Sequence, residues 1–543
     1  MVNKISIKNY KAFKDASIEL KPITIFLGAN SVGKSSIMKL LLLIAQNTNS
    51  TNTTKTPLKI NGDTIQLGSF ENIIHKKNLS SKLNISFHID KLNMIKYRTK
   101  IKNNILDIYE SLKKTYLLYY EGVDDFDSIT RDLRKEIINE KKKKNNTLEQ
   151  IFLDMSSYQR KINLRLKKDD ENSMIFRIAS LFLQDYNEFS KKHGIHFDIL
   201  SYKNLFNYLI KLDEENFKSF EIKYTFSFSK ENIKIIKFEI YSDSDINIFS
   251  YEHKGAVHKI TSHYLNDKTT SNLRTKFGKA ISFNQFQVQR VNKQSENNIF
   301  VNTLIDIVDD FVDKIKHNFN YSNINYVDPL RAYPRRYYFL DEKDIFTSLN
   351  KIDGEKMATM LKENTALRKK VNKWIGKFNL KVNIEQLQDT IHNIKISQNG
   401  LSLDITDVGF GISQVLPIIT QGFFSTKNST TLIEQPEIHL HPKMQAELSD
   451  LFIDIIQEEK ESNKRIIIET HSEYLLKRLR RRIAEGAISN KDIAIYSFSL
   501  DSETNNGTIS KLDIDNKGAF EWPKDFYDTD MEDTINFLKY QDN

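Results

Sequence analysis

Residues Gly28 to Ser35 read GANSVGKS, two glycines with four residues between them and then lysine and serine. An apolar run, Ile23–Leu27, leads into this stretch, and a helical pattern runs from about Lys34 to Gln46. That context predicts a loop built to cradle phosphates. Gly28 and Gly33 let the backbone curl so that successive N–H groups point inward. The following helix adds the positive end of its dipole. Lys34 would reach the β- and γ-phosphates of a nucleoside triphosphate, and Ser35 would place its hydroxyl on the metal. The cofactors expected from this pattern are ATP and Mg2+.

Such a loop needs a carboxylate at a strand end nearby. Thr430 to Glu437 reads TTLIEQPE, an apolar strand ending in Glu434 and followed by Gln435, Pro436 and Glu437. Glu434 is the expected metal-side acid. A further strand, Arg465–Ile468, ends in Glu469, Thr470 and His471. An imidazole there could hydrogen-bond a γ-phosphate or an attacking water. Asp407 to Gln414 reads DVGFGISQ, in which Gly409 and Gly411 free the backbone before a helix whose first turn offers Ser413. That helix start is a second anion-seeking end. One nucleotide rarely needs both ends from one subunit, which predicts a head-to-tail homodimer.

The elements that must position these groups fall into four spans. Residues 1–100 alternate short strands (Ile5–Ile7, Ala16–Leu20, Leu58–Ile60, Thr64–Leu67, Leu83–Ile89) around the loop and its helix. Residues 101–325 are rich in Lys, Asn, Asp and Glu and read as an insertion, largely helical with some strands. Its helical patterns are Asn104–Leu118, Phe126–Lys141 and Leu148–Leu166, and its strands Phe220–Phe228 and Ile233–Tyr241. Residues 326–485 carry YVDPLRAYPRRYY, a helix over Glu355–Phe378, strands Ile391–Ile396 and Leu401–Ile405, and the second set of motifs. Residues 486–543 read as a small C-terminal extension. The acidic pairs Asp243/Asp245, Asp513/Asp515 and Asp528/Asp530 read as solvated turns.

The chain has 543 residues, long enough for several domains at roughly 150 residues each, and its formal charge is +9. That excess permits phosphate contact, with the Lys141–Lys144 run as a candidate DNA footprint or a plain solvated turn. There is no cysteine, which excludes disulfides, Cys-ligated zinc and thiol nucleophiles. The longest apolar run, Ile37–Ala45, is half the ~20 residues that span a bilayer, and the start lacks a secretory pattern. A cytoplasmic protein with no membrane role is expected.

The order of these motifs resembles the ABC-type ATPase heads of the Rad50, SMC and RecF kind, an α/β P-loop fold. More closely, GFGISQVLPII, IEQPEIHLHPKMQ, ETHSEYLL, YVDPLRAYPRRYY and AFEWPKDFYD resemble a bacterial subgroup of overcoming-lysogenization-defect-like AAA ATPases. That subgroup includes the PtuA kind from Septu and retron anti-phage defence systems. The resemblance covers residues 1–95 and 326–530. It implies nucleotide binding by Asn30, Ser31, Gly33, Lys34, Ser35 and Ser36, and a signature contact in trans by Ser413. It makes Glu434 the Walker B acid, His471 the switch histidine, and Gln66 a candidate metal- and water-sensing residue. Arg331, Arg335 and Arg336 are candidates for phosphate contact or for packing and interface ion pairs.

One departure bears on turnover. Heads of this kind place a glutamate, the base that orients water, directly after the Walker B acid, and here that position is Gln435. An amide cannot accept a proton, so hydrolysis is expected to be slow or to use Glu437 or His471. The stretch after His471 looks too short for a nuclease domain of the Toprim type. The resemblance therefore implies a separate HNH nuclease subunit that this ATPase restrains or activates, higher oligomers, and in retron-linked versions a reverse transcriptase with its msDNA. The alternative is an SMC/RecF-like repair ATPase that clamps DNA directly.

Overall fold

Three apolar runs, ITIFLG, TTLIE and RIIIE, are buried along nearly their whole length. Strands buried on both faces belong in the middle of a parallel sheet covered by helices. The computed structural model has that arrangement. It describes residues 1–48, 56–90, 92–120, 148–166, 199–229, 232–255, 257–291, 298–329, 331, 334–339, 350–351, 354–388, 390–458, 462–523 and 528–541. The helical pattern Phe126–Lys141 and the Lys141–Lys144 run lie outside them. The chain divides into two units. One comprises Met1–Ile89, Tyr224–Ile235 and Asp313–Asn543, the other Asp90–Lys223 and Ile236–Val312.

In the first unit, β1 (Val2–Tyr10), β2 (Phe13–Glu19) and β3 (Ile23–Gly28) precede α1 (Lys34–Thr48) and β4 (Leu83–Asp90). β1 pairs antiparallel with β2 and β4. Next come β5 (Ile324–Val327), α2 (Phe410–Phe424), β6 (Thr430–Glu434), α3 (Pro442–Gln457), β7 (Arg465–Glu469), α4 (Glu473–Ala484), β8 (Ile493–Leu500) and β9 (Gly507–Leu512). The main sheet runs Asn350–Lys351, β5, β6, β7, β3, β8, β9. Its pairs are parallel except β8 with β9. The apolar run in α1 that is too short for a membrane is instead core: Ile37 to Ala45 is buried apart from Lys39. No helix among the described residues is long and apolar enough to cross a membrane. Ile25, Ile433 and Ile468 from the strands meet Leu416 and Ile419 of α2 and Leu451 of α3 in one core, each buried side chain contributing about 2 kcal/mol.

Several sequence expectations change. Leu58–Ile60 and Thr64–Leu67 form no strands, only an isolated Asn61–Gln66 bridge. The Gln46 and Asn47 side chains bond the backbone of Lys59 and Ile65, taking groups a sheet partner would otherwise use. The helix read over Glu355–Phe378 is two, Gly354–Glu363 and Thr365–Ile375, because the Asn364 side chain caps the second by accepting from the Leu367 N–H. Residues 493–512, read as part of an extension, supply β8 and β9 of the main sheet. Asp528 and Asp530 begin a helix rather than a turn.

The second unit carries helices Ile95–Tyr120, Leu148–Leu166 and Ile199–Glu214. The first begins about two and a half turns before the pattern read from Asn104. An ion pair between Arg98 and Asp213 and the stacked Tyr116 and Tyr158 rings tie these helices together. Asp243 and Asp245 are exposed there, as expected of a turn.

Candidate nucleotide site

β3 ends at Gly28 and the chain then turns through three positive φ angles: Gly28 at +139°, Ser31 at +67° and Gly33 at +109°. Gly28 has a second reason to be glycine. A Cβ there would lie 2.3 Å from the Phe498 carbonyl oxygen of β8, so the loop and β8 can only be neighbours without a side chain. Lys34 is buried and folds back over the loop, donating to the carbonyls of Gly28 (2.9 Å) and Ala29 (2.7 Å). Burial lowers its pKa, while the charges of Glu469 and Glu437 oppose that shift. Asn30 and Ser31 are exposed at the loop tip. Ser36 accepts the Tyr10 hydroxyl on its carbonyl at 3.1 Å.

Because β6, β7 and β3 are adjacent and parallel, their C-terminal ends stand side by side, the edge where open α/β sheets bind ligands. Glu434 registers with Glu469, and Glu469 with Phe26. The Ser35 hydroxyl bonds both Glu469 oxygens, at 3.1 and 3.0 Å, and Lys34 Nζ is 3.8 Å from that carboxylate. Glu434 instead accepts the Tyr326 hydroxyl from β5 at 2.9 Å. Glu434 is the metal-side acid expected from the sequence, with Ser35 and Gln66 as the other candidates for the metal, yet the acid that the Ser35 hydroxyl bonds is Glu469. Burial raises both carboxyls. Glu434 is pushed up to about 7, with the Tyr326 bond opposing and the Glu469 charge reinforcing. For Glu469 the Ser35 bond and the Lys34 and Lys39 charges oppose that rise.

Beyond β6 the chain turns sharply at Gln435, whose φ of +46° places a non-glycine residue in the left-handed region. Its N–H donates to the Glu469 carbonyl at 2.7 Å. Arg331 closes the other side, one Nη2 donating to the carbonyls of Glu434 and Gln435, both at 3.1 Å. Burial brings that guanidinium down to about 10, against the attraction of Glu437 and Asp328. Glu437 accepts from the Thr470 hydroxyl (2.8 Å) and the His471 N–H (2.6 Å). Both its oxygens are therefore engaged in holding the turn after β7. His471 Nε2 is buried with no hydrogen bond among the described residues. Burial, and then the Lys34 charge, lower its pKa, so the ring is neutral at neutral pH and has an unused polar atom.

Ser413 is buried in the first turn of α2, which starts at Gly409. A Cβ on Gly411 would come within 2.9 Å of the His439 carbonyl, so this turn packs on the HLHP loop. Arg336 pairs with Asp407 at 3.1 Å, and Arg335 is exposed. Gln66 is exposed on its bridge to Asn61. The structure thus gathers Lys34, Ser35, Glu434, Glu437, His471 and, on the packing side of its reading, Arg331, and adds Glu469 and Tyr326. Glu469 ends a visible strand, but only the sheet order puts that strand beside the loop.

The groups fit MgATP. The ammonium and the open backbone loop suit phosphates, and Mg2+ takes a hydroxyl, one or two carboxylates and phosphate oxygens. The profile of a family described as AAA ATPase domain matches residues 1–476. No curated protein matches the chain. Among solved structures, the SMC head domain from Thermotoga maritima is similar over 94% of this chain and 99% of its own, at 7% identity and a TM-score of 0.32. The Smc head domain with an extended coiled coil bound to the C-terminal domain of ScpA, from Pyrococcus furiosus, is similar over 100% and 99%, at 9% identity and a TM-score of 0.30.

Proposed function

The chain belongs to the AAA ATPase domain family, and from that premise we propose that it binds MgATP at the C-terminal edge of its parallel sheet and hydrolyses it slowly, as a switch. The observation that carries this reading is the convergence of Lys34, Ser35 and two strand-end acids around a loop of positive φ, with His471 Nε2 left unpaired. Lys34 and the loop N–H groups bind phosphate, and Ser35 and Glu434 hold the metal, which when bound screens the phosphate charge. With Gln435 unable to act as base and Glu437 occupied by Thr470 and His471, the neutral His471 ring is the group free to orient water. The Ser413 turn of a second copy would close the site, giving a head-to-tail homodimer.

The motif resemblance extends the proposal to an anti-phage complex of the Septu or retron type. In it the nucleotide state of this subunit restrains or releases a separate HNH nuclease, with a reverse transcriptase and msDNA added in retron-linked versions. A slow ATPase suits a held state better than a motor. Two measurements on the full chain test this. Lys34→Ala should abolish nucleotide binding by calorimetry and, expressed with its chromosomal neighbours, abolish protection against phage. Full protection by that variant would overturn the switch. A purified protein that carries no nuclease but binds DNA with steep salt dependence would favour the clamp alternative.

A further inference from the structure

Glu469 is an acid aimed at the phosphate loop itself. It is 5% exposed, its two oxygens accept the Ser35 hydroxyl at 3.1 and 3.0 Å, and Lys34 Nζ stands 3.8 Å away. These are the two side chains that the proposed reading assigns to metal and phosphate. Glu434, one strand further along, is held by Tyr326. The cations that act on Glu469 are Lys34 and Lys39, and Lys39 is exposed on α1.

A buried carboxylate in this position opposes an anion twice. It competes with phosphate for Lys34, and it repels a triphosphate through a medium that screens charge poorly. A divalent cation reverses both effects. It neutralises part of the phosphate charge, and by drawing the Ser35 hydroxyl to itself it offers Glu469 a counter-charge in exchange for a hydrogen bond. We propose that Glu469 is a specificity-determining residue that makes this site admit a nucleoside triphosphate only as its complex with a divalent cation. The inference rests on the ATP-binding reading and adds a condition to it. The metal becomes a requirement for entry, and free nucleotide is rejected by the protein's own charge.

The test titrates the full chain with a fluorescent ATP analogue, once with excess Mg2+ and once with EDTA. The wild type should lose affinity by about 100-fold or more without metal. Glu469→Gln should narrow that ratio to less than about 10-fold, mainly by tighter metal-free binding. Glu469→Asp, which keeps the charge, should retain most of the wild-type ratio. If Glu469 only braced the loop, Glu469→Gln would weaken both forms together and leave the ratio unchanged, and that result would overturn the proposal. Melting curves of each variant show whether it is folded before its affinities are compared. A folded wild type that bound neither form would instead sink the ATP reading itself, and this inference with it.

Discussion

Arg331 illustrates how much a single buried side chain can organise here. Its Nη2 bridges two carbonyls across the left-handed turn at Gln435, while its Nε and Nη1 are buried with no partner among the described residues. Burying a charged group with idle donors is unfavourable, so the bridge and the nearby Glu437 and Asp328 must offset it. Arg331→Ala removes the bridge and leaves two carbonyls to find other donors. Stability should fall by about 2–4 kcal/mol in denaturant unfolding. Arg331→Lys keeps the charge without the planar fork, so it should recover less than half of that loss. A variant as stable as the wild type would show that the turn holds itself. Lys34 and Ser35 were legible in the sequence because they close one short motif, which also holds the two carbonyls that Lys34 bonds. The Arg331 bridge was not, because the carbonyls it holds lie more than a hundred residues away on another strand.

Between elements, Asp450 carries the densest bonding of the α3–α4 contact, beside Glu447 on Arg478 and the Ser449 hydroxyl on the Leu475 carbonyl. Asp450 accepts from Arg478 at 2.6 Å and from Arg482 at 2.6 and 2.9 Å. Burial raises the Asp450 carboxyl, but the Arg482 bond and the two guanidinium charges outweigh it and hold the group below its ordinary value. A depressed folded pKa means that the unfolded chain takes up the proton first as pH falls. The contribution is therefore full above about pH 4, the ordinary carboxylate value, and disappears as pH drops through the folded value. Asp450→Asn should lower the melting temperature at pH 7, and the gap to the wild type should narrow as pH falls below about 4. A constant gap across that range would refute the linkage. A second contact is steric: Gly518, at φ +77°, would place a Cβ 2.3 Å from the Arg480 carbonyl. Beside it, Arg480 lies over the Phe520 and Trp522 rings and bonds the Gly518 carbonyl at 2.8 Å. Gly518→Ala should lift that segment from α4, read as a red shift of Trp522 emission. An unshifted spectrum would mean that the backbone accommodates the methyl. Strong periodicity made α1, β3 and β7 readable. The break at Asn364 and the loss of strands near Leu58 turn on side-chain bonds to backbone, which periodicity does not encode.

At the scale of the molecule, the sheet interleaves distant sequence, with β5, β6 and β7 on one side of β3 and β8 and β9 on the other. Local patterns identified β3, β6 and β7 as pieces but not β5, β8 or β9, and the order of the strands is a non-local outcome. That is why residues 493–512 read as an appendage, although the closeness of β8 is what requires Gly28. The same arrangement leaves the α2 start as the one phosphate-seeking motif that the proposed single-chain site does not use. Gly409 caps α2 with no side chain, and a Cβ there would meet nothing within 4 Å. Its φ of −47° is open to any residue. Gly409→Asp should therefore be tolerated, since a side-chain cap in place of glycine typically adds about a few tenths of a kcal/mol. The same carboxylate would occupy the position where a partner's phosphates should bind and would repel them. With Mg2+ and a non-hydrolysable ATP analogue, light scattering should show the mass doubling, and with MgADP it should not. Adding Gly409→Asp should keep the protein monomeric while nucleotide affinity changes by less than about 3-fold, since binding and closure then involve different chains. Dimers that persist in the Gly409→Asp protein would mean that α2 does not cap a partner's nucleotide, and head-to-tail closure would have to be abandoned.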